Sequence, residues 1–500
     1  MIRPYFLLFI SLFVSSGIHA KANADRPKLV VGIVVDQMRW DYLYYYYNEY
    51  REDGLKRLMN EGFSCENTMI SYMPTITAVG HASLYTGTVP SVHGIAGNDF
   101  TINGDFVTSV TDTTVTAVGA ESPDKRTGQC SPHNMLSGTI GDALKIATDF
   151  KSKVYGVALK DRAAILPAGH GADGAFWWDN KSGHFITSTY YMDKLPLWAD
   201  AFNKRNKQKP ETEVMCSPLG VTLTFKMASE ILSQEHLGSD NITDLLAISI
   251  SSTDIVGHTY GTRGKENHDV YMQLDKELGQ FLTKLDQKVG RGNYLLFLTA
   301  DHGAIHNPNM SLKHKIPSSG WDVSATKESL EEGLKAKFGV EGKYIRSIGD
   351  LRIYLDREFI EKNGLDFCAV KQEAVRLLRE DTQFLYVVDY ENIENQSIPK
   401  LIRERLINGY HRGRSGDIAV CLRANMMHGK ADADYKGTTH GTWSPDDSHI
   451  PLLFMGWHVN EGSTDTYTEN IDMAATVCAM LHIQMPNGNL GKPIQEVYRK

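Results

Sequence analysis

Acidic and imidazole side chains recur along the chain in pairs whose spacing suits metal-assisted chemistry. Asp254 and His258 are four positions apart, which places both side chains on one face of a helical turn. Asp301 and His302 are adjacent at the end of an apolar run, so their side chains point apart and can serve two different ions. Carboxylate oxygens and imidazole nitrogens are both ordinary zinc ligands. Each pair taken alone is common in proteins without a metal, but the two together indicate a metal site.

Three single residues extend this set, namely Asp36, Thr77 and His440. Thr77 precedes a stretch that can form a helical turn, where free backbone N–H groups and the helix dipole favour an ionised hydroxyl and an arriving phosphate oxygen. A hydroxyl held beside divalent ions also loses its proton readily and becomes a usable nucleophile. We therefore predict a hydrolase that attacks phosphorus with Thr77. Thr75 is the rival nucleophile, and a plain helix N-cap is the structural alternative for Thr77.

The number of candidate ligands suits two tetrahedral divalent ions, each with room for a substrate oxygen. The predicted metal ligands are Asp36, Thr77, Asp254, His258, Asp301, His302 and His440. Three of them are imidazoles, which favours Zn²⁺ over Mn²⁺ or Mg²⁺ but does not decide against mixed occupancy. The sequence therefore predicts two Zn²⁺ ions as cofactors.

Short apolar runs recur along the chain, and several of them end at or just before a candidate ligand. Runs of this kind are typical of a sheet that helices cover on both faces, and ligand groups at the carboxyl ends of such strands mark an active site. Strands are predicted at 28–35, 153–158, 245–251, 294–299, 384–388, 417–422 and 450–455. Helices are predicted at 54–61, 141–148, 222–235, 267–289, 365–380 and 471–481. These elements predict an α/β fold.

The organisation of the chain is predicted as a leader followed by one large domain. Residues 1–20 carry Arg3, an apolar run too short to span a bilayer comfortably, and small residues before Ala20, as in a signal peptide. Residues 21–500 are predicted to form a single catalytic domain, because candidate ligands occur from its beginning almost to its end. The segments 98–239 and 306–437 are predicted insertions. We expect an exported protein, periplasmic or secreted, without stable membrane insertion.

The net charge and the cysteine content limit which binding partners and which disulfides the chain can have. The net charge is −8, whereas a nucleic-acid-binding surface requires a basic stripe. An anionic substrate must therefore be attracted locally, by metals and a few cations. The six cysteines are widely separated with no CxxC pair, so disulfides and free thiols both stay open. Oligomeric state is also open, and a monomer is compatible with the sequence.

The motifs together resemble the alkaline phosphatase superfamily. The resemblance rests on Asp36, Thr77 within TxxxHxxLYTG, Asp254-xxx-His258, Asp301-His302-Gly303 and His440-Gly441, in this order along nearly the whole mature chain. It implies a three-layer sandwich with a central, mostly parallel sheet, helices on both faces and inserted cap segments. It also implies that Asp254, His258 and His440 hold one zinc, that Asp36, Asp301 and His302 hold the other, and that Thr77 lies between ion and substrate.

Three further residues bear on the branch of the superfamily. The threonine nucleophile is shared by nucleotide pyrophosphatase/phosphodiesterases and PafA-type alkaline phosphatases. In the latter, residues matching Asn98, Lys160 and Arg162 clamp the non-bridging phosphate oxygens. Two cations and an amide suit the extra anionic oxygen of a monoester. We therefore expect a broad-specificity phosphate monoesterase acting on small molecules, with a phosphodiesterase or nucleotide pyrophosphatase as the alternative.

The resemblance implies two in-line displacements through a threonyl phosphate on Thr77. Because the ligands and the attacking groups must lose protons, we expect an alkaline pH optimum. The rate of p-nitrophenyl phosphate hydrolysis measured across pH checks this expectation, and a profile that peaks below about pH 6 would contradict it. A sulfatase is disfavoured, because the nucleophile position lacks the Cys/Ser-x-Pro-x-Arg context. A phosphomutase is disfavoured by the predicted export.

Overall fold

A ten-stranded sheet forms the centre of the molecule. The computed structural model describes residues 25–123 and 127–498, so the predicted signal peptide, residues 1–20, lies outside the described residues. The strands follow one another across the sheet in the order Gly462–Thr464, Phe63–Cys65, Leu452–Gly456, Tyr294–Thr299, Leu29–Val35, Asp244–Ile250, Val154–Val157, Gly174–Asp179, His184–Ser188 and Ala117–Val118. The five strands from Tyr294–Thr299 to Gly174–Asp179 are parallel, and antiparallel neighbours flank them.

The strand Leu29–Val35, here called the central strand, shows why the sheet is covered on both faces. All seven of its residues are buried, as are those of its neighbours Asp244–Ile250 and Tyr294–Thr299. Its alternate residues belong to two separate apolar clusters, one with Val31 and Ile33 and the other with Val30 and Val34. Successive side chains of a strand point to opposite faces, so each cluster lies on its own side of the sheet. The predicted three-layer α/β fold is confirmed.

Helices of both layers supply the rest of these clusters. The first layer contains Leu55–Glu61, Leu197–Asn206, Pro218–Gln234, Ser252–Tyr260 and Lys265–Leu285. The second contains Thr77–Thr86, Ile140–Ala147, Asp161–Ala168 and Asp472–Met480. Local sequence fixes some of the ends: Thr139 accepts from the Asp142 N–H and the Asp142 carboxylate accepts from the Thr139 N–H, a capping box that starts Ile140–Ala147.

Residues 306–437 build a smaller unit beside the large sheet. Its four-stranded antiparallel sheet has the order Ile345–Gly349, Arg352–Leu355, Ile418–Leu422 and Phe384–Asp389. Around it lie the helices Pro308–Lys313, Val323–Phe338, Arg357–Lys362, Phe367–Glu380 and Lys400–Gly409 and the 3₁₀ segment Tyr390–Asn395. The strands Ser319–Trp321 and Met426–His428 pair at its edge. This unit has an apolar cluster of its own, centred on Trp321, Ile353 and Val388.

The remaining elements are short. They are the helices Tyr42–Tyr45, Pro90–His93 and Pro445–Ser448, the π segment Asp286–Gly290, the 3₁₀ turn Gln495–Val497, the hairpin Asp99–Ile102 and Asp105–Thr108, and a small sheet of Thr68–Met69, His449–Ile450 and Thr468–Glu469. All predicted strands and helices are present, with ends that differ by at most four residues. Segment 98–239 contributes four strands to the large sheet, whereas the division of the chain into leader, domain and insertions stays a prediction.

Two sequence questions receive partial answers. Each of the six cysteines lies within the described residues and is free. Among those same residues, no helix is both long and apolar enough to cross a bilayer.

Candidate active site

Three predicted carboxylate ligands, Asp36, Asp254 and Asp301, meet at one edge of the sheet. Asp36 directly follows the central strand, and Asp254 and Asp301 come just after its two neighbours. Because these strands are parallel, their carboxyl ends lie side by side, which brings residues far apart in sequence together. All three carboxylates are almost fully buried. The sheet therefore creates a concentrated negative charge at this edge.

One cluster of candidate ligands forms around Asp254. His258 lies one turn further along the helix Ser252–Tyr260, and its Nε2 is 3.2 Å from Asp254 Oδ1. His440, from a loop near the end of the chain, places its own Nε2 3.6 Å from the same oxygen. The donor atoms of these three side chains lie within 4.8 Å of one another, a spacing suited to a shared cation.

A second cluster adjoins the first. His302 Nε2 lies 3.5 Å from Asp36 Oδ1 and 3.5 Å from Asp301 Oδ2. Donor atoms of Asp36, Asp254 and His302 also lie within 4.8 Å of one another, so Asp254 takes part in both clusters. The rings of His302 and His440 are stacked with their centroids 3.6 Å apart. The structure therefore brings the two predicted ligand sets into direct contact.

The three imidazoles are held in the same tautomer by the backbone. The Nδ1 atom of His258 lies 2.9 Å from the Thr438 carbonyl oxygen, and that of His302 lies 2.9 Å from the Gly303 carbonyl oxygen. The Nδ1 atom of His440 lies 2.7 Å from the Thr75 carbonyl oxygen. A carbonyl oxygen can only accept, so each Nδ1 carries the proton. Each Nε2 is then left with a lone pair directed at a carboxylate, which is the arrangement of a metal-binding histidine.

Unpaired polar atoms in this region test whether a cation fits. Asp36 Oδ1 and His302 Nε2 are buried and have no hydrogen-bond partner among the described residues. Burial, with Asp254 and Asp301 nearby, raises the pKa of Asp36 well above its ordinary value. Isolated buried acceptors of this kind are costly unless a positive charge satisfies them. The donor set, carboxylate oxygens and imidazole nitrogens, fits divalent zinc.

Lys160 lies where the two clusters meet. Its ammonium group donates to Asp36 Oδ2 at 2.7 Å and to Asp254 Oδ2 at 2.6 Å. Burial alone would lower the pKa of Lys160, but these two carboxylates raise it above its ordinary value, so the side chain stays charged. Burial would raise the pKa of Asp254, yet Lys160 and His258 hold it well below the usual range. Lys160 is therefore a fixed cation at the centre of the site.

Thr77 is the first residue of the buried helix Thr77–Thr86, and its hydroxyl faces this cation. Thr77 Oγ lies 3.3 Å from the Lys160 Nζ. Ile76 is the N-cap of the helix, and no side chain caps it, so Thr77 does not have the plain capping role. Thr75 instead directs its hydroxyl toward the Thr442 carbonyl, 3.2 Å away. Of the two candidate nucleophiles, Thr77 is the one directed at the carboxylate and imidazole clusters.

Asn98 lies on a loop near this helix start, and Arg162 lies in the first turn of another helix. Asn98 Oδ1 accepts from the backbone N–H of Ala78, the second residue of the helix, at 3.0 Å. Arg162 lies two residues after Lys160 at the start of Asp161–Ala168, and its Nε is buried with no hydrogen-bond partner in the described chain. Both predicted clamp residues therefore lie on elements that adjoin Thr77 or Lys160.

Two residues near the clusters were not predicted from the sequence as site residues. Gln37 Nε2 donates to Asp254 Oδ1 at 2.6 Å, and its backbone N–H donates to Asp301 Oδ1 at 3.2 Å. This close approach requires Gly257, because a Cβ there would lie 1.9 Å from Gln37 Oε1. His81 donates from Nδ1 to the Thr77 carbonyl at 2.8 Å and lies 3.2 Å from Asp301 Oδ2. For Gln37 the only sequence signal was its position directly after Asp36, whereas His81 is the histidine of the TxxxHxxLYTG motif.

Comparison with known proteins agrees with this geometry. Residues 30–443 match the family model described as type I phosphodiesterase/nucleotide pyrophosphatase. The chain belongs to this family. Over 97% of both chains it is 43% identical to a Myroides odoratus protein named as a calcium-transporting ATPase. It is 42% identical to alkaline phosphatase PafA of Elizabethkingia meningoseptica, over 99% of this chain and 100% of the relative.

A solved structure is similar over the whole fold. It is a crystal structure of alkaline phosphatase PafA in which a threonine, an asparagine, a lysine and an arginine are replaced, and it is 41% identical with a TM-score of 0.90. The match covers 95% of this chain and 99% of that one. The predicted alkaline phosphatase superfamily membership is confirmed, and the protein is a phosphatase of that superfamily.

Proposed function

We propose that the protein is a zinc-dependent phosphate monoesterase of broad specificity that uses Thr77 as its nucleophile. The observation that supports this most is the meeting of two carboxylate–imidazole clusters at Lys160, with the Thr77 hydroxyl 3.3 Å from its ammonium. Substrates would be small-molecule phosphate esters. Nucleic acid is not expected as a substrate, because the net charge is −8.

The cofactor proposal is two Zn²⁺ ions. One would be held by Asp254, His258 and His440, and the other by Asp36, Asp301 and His302 together with Thr77. When bound, the ions supply positive charge that favours an ionised hydroxyl and neutralises phosphoryl oxygens. The stacked rings of His302 and His440 place the two sets side by side.

The residues of the chain suit two successive displacements at phosphorus. The Thr77 Oγ attacks, the bond from phosphorus to the leaving oxygen breaks, and a threonyl phosphate forms. Water then attacks the same phosphorus, which returns the Thr77 hydroxyl and releases inorganic phosphate. Lys160 stays charged and offers its ammonium to phosphoryl oxygens at the nucleophile. The free N–H groups at the start of the helix are a further anion-binding element.

A clamp of Asn98, Lys160 and Arg162 favours monoesters over diesters. A phosphate monoester presents one more anionic oxygen than a diester, and a positioned guanidinium can neutralise it through charge-assisted hydrogen bonds. Four positions are replaced in the PafA variant structure, and their spacings of 21, 62 and 2 residues equal those from Thr77 through Asn98 and Lys160 to Arg162. This correspondence supports the same four residues as a functional set here.

Replacement of Arg162 tests the choice between monoester and diester. Since a hydrogen bond to a charged group contributes about 1.5–3 kcal/mol, Arg162→Ala should lower kcat/KM for p-nitrophenyl phosphate roughly 10- to 100-fold. Hydrolysis of bis-p-nitrophenyl phosphate should change by less than about threefold, because that ester lacks the extra charge. Steady-state kinetics with both esters gives the two ratios.

A surface arginine provides the control for this experiment. The exposed side chain of Arg205 pairs with Glu230 at 3.1 Å, so Arg205→Ala should leave both rates unchanged. The competing function is a phosphodiesterase or nucleotide pyrophosphatase, which the name of the family model favours. A wild-type preference for the diester, with equal losses for the two esters in Arg162→Ala, would support that alternative.

Export to the periplasm or the medium is the last part of the proposal. It rests on the charged, apolar and small-residue pattern of positions 1–20, which lie outside the described residues. N-terminal sequencing of the mature protein would show a start after Ala20 or Ala24. A mature chain that retains Met1 would contradict the proposal.

A further inference from the structure

The tip of one hairpin in the smaller unit reaches the active-site loop that carries Asn98. The strands Ile345–Gly349 and Arg352–Leu355 are joined by Asp350 and Leu351, both with positive φ, 51° and 61°. Two positive φ values in a two-residue connection are typical of a type I′ hairpin turn, which usually contains Asn-Gly or Asp-Gly. We call residues 349–352 the hairpin tip.

Asp350 lies against the backbone at the clamp. Burial raises the pKa of its carboxyl group to about 6, and the nearby backbone N–H of Asn98 opposes that rise. The Asp350 carboxyl group also lies close to Gly97, the residue before Asn98, because a Cβ added to Gly97 would lie 2.8 Å from Asp350 Oδ2. Arg162, a second clamp residue, lies near enough to act electrostatically on the Asp350 carboxyl. One side chain of the smaller unit thus adjoins two residues of the clamp.

Arg352 binds the same loop at Ala96, two residues before Asn98. It is 1% exposed, and its guanidinium donates to the Ala96 carbonyl and, at 3.4 Å, to the Met73 carbonyl. It also donates to the Gly409 carbonyl at 2.7 Å. Met73 lies on the segment that leads into Thr77. A fully buried arginine that satisfies three backbone carbonyls from separate segments holds those segments at fixed distances.

The conformation of Leu351 indicates that the tip is held in place. A left-handed conformation is strained for a side chain such as leucine, which costs about 1 kcal/mol and persists only where the surroundings demand it. Leu351 is 2% exposed and belongs to the apolar cluster of the smaller unit. The packing of Leu351 in this cluster therefore holds the turn, and with it the neighbouring Asp350, in place.

We propose that Asp350 is a positioning residue for the phosphoryl clamp: its carboxyl group packs against the backbone of residues 97–98 and so fixes the Asn98 side chain beside the start of the Thr77 helix. Asn98 Oδ1 already accepts from Ala78 N–H at 3.0 Å, so a shift of its backbone would move the amide relative to the substrate. The smaller unit thus contributes to catalysis through the hairpin tip without touching the substrate. This inference rests on the proposed clamp.

Substitutions at Asp350 test the role of its carboxyl group. Asp350→Gly removes that group while suiting the positive φ, so the turn is retained. We expect kcat/KM for p-nitrophenyl phosphate to fall about tenfold, the scale of a small misplacement of a positioned group. Asp350→Asn keeps an acceptor oxygen and should stay within about threefold of the wild type. A loss with Asp350→Asn equal to that with Asp350→Gly overturns the inference.

A double-mutant cycle separates positioning from general damage. If Asp350 acts through Asn98, then adding Asp350→Gly to Asn98→Ala should lower kcat/KM by less than a further factor of about two. Full multiplication of the two losses overturns the inference. The control is Asn103→Gly, which also has φ 51° but is exposed in the turn of the hairpin that follows Asn98. Thermal melts should show similar stability for both glycine variants.

The same experiment distinguishes failure of the clamp from failure of the inference. Wild-type kinetics in Asn98→Ala would contradict the proposed clamp, and with it the proposed role of Asp350. An impaired Asn98→Ala together with wild-type kinetics in Asp350→Gly would leave the clamp intact and overturn only the positioning role.

Discussion

Replacing Thr77 by alanine should lower kcat for p-nitrophenyl phosphate by about 10³-fold or more, because the proposed covalent intermediate forms on the Thr77 hydroxyl. The variant should keep its fold, since Thr77 makes no side-chain cap to its helix. It should also keep its metal, because three carboxylate and imidazole ligands remain for each ion although the Thr77 hydroxyl is lost. The measurement is steady-state kinetics, combined with a search for a phosphorylated threonine in wild-type protein quenched during turnover.

Thr75 provides the matched control, two residues away in the same buried segment. Its hydroxyl accepts from the Gly441 N–H at 3.1 Å and donates to the Thr442 carbonyl, so its role is to hold the loop of His440. Thr75→Val should lower the rate by less than about tenfold, which is the loss of one or two neutral hydrogen bonds. Retained activity in Thr77→Ala, with a large loss in Thr75→Val, would show that the nucleophile assignment is wrong.

Replacing Asp254 by asparagine should disrupt the proposed zinc site of Asp254, His258 and His440 and disturb the adjoining site, whose ligands Asp36 and His302 lie close to Asp254. Asp254 takes part in both ligand clusters, and its Oδ1 lies near the Nε2 atoms of His258 and His440. We expect zinc content to fall from about two ions per chain to one or fewer, and kcat to fall about 10³-fold or more. Elemental analysis after gel filtration and kinetics in excess Zn²⁺ check the two parts. Two retained ions would contradict the proposal.

The control for this variant lies at the other end of the same strand. Asp244 is also buried, and burial raises its pKa to about 6, so a neutral amide is a reasonable replacement. Its carboxylate accepts from the Lys153 and Gly238 N–H groups and faces no candidate ligand. Asp244→Asn should lose some stability but retain zinc and activity. Wild-type protein stripped by a chelator should likewise lose activity and recover it with Zn²⁺, whereas Asp254→Asn should not recover.

The sheet could be predicted from the sequence because its strands are buried on both faces. Runs such as 245–251 and 294–299 contain few polar residues, and burial between helices is the arrangement that such runs require. The sheet of the smaller unit was harder to predict, because its strand pairings join residues that are far apart in sequence, such as Ile353 and Ile418. Segment 98–239 was predicted as an insertion, and of the four strands that it contributes to the large sheet only 153–158 was predicted. The pairing of the others depends on neighbours that local sequence does not specify.

The residues of the site could be predicted to a greater extent than their partners. Metal-binding and nucleophilic residues have distinctive types, and their order along the chain resembles that of a known superfamily. The carbonyls of Thr75, Gly303 and Thr438, which orient the three imidazoles, have no signature, because every residue has a carbonyl group. Asp350 and Arg352 were missed for a related reason: they act on the loop backbone from another unit of the fold.

The distribution of the imidazole ligands along the chain has a consequence for biosynthesis. Asp254 and His258 are made together, but His440 is added only after a further 182 residues have been translated. A nascent chain that ends before position 440 therefore cannot complete the cluster around Asp254, however much of the large sheet has already formed. Metal binding at this cluster should accordingly be a late event in maturation, and truncated chains that lack His440 should not bind zinc there.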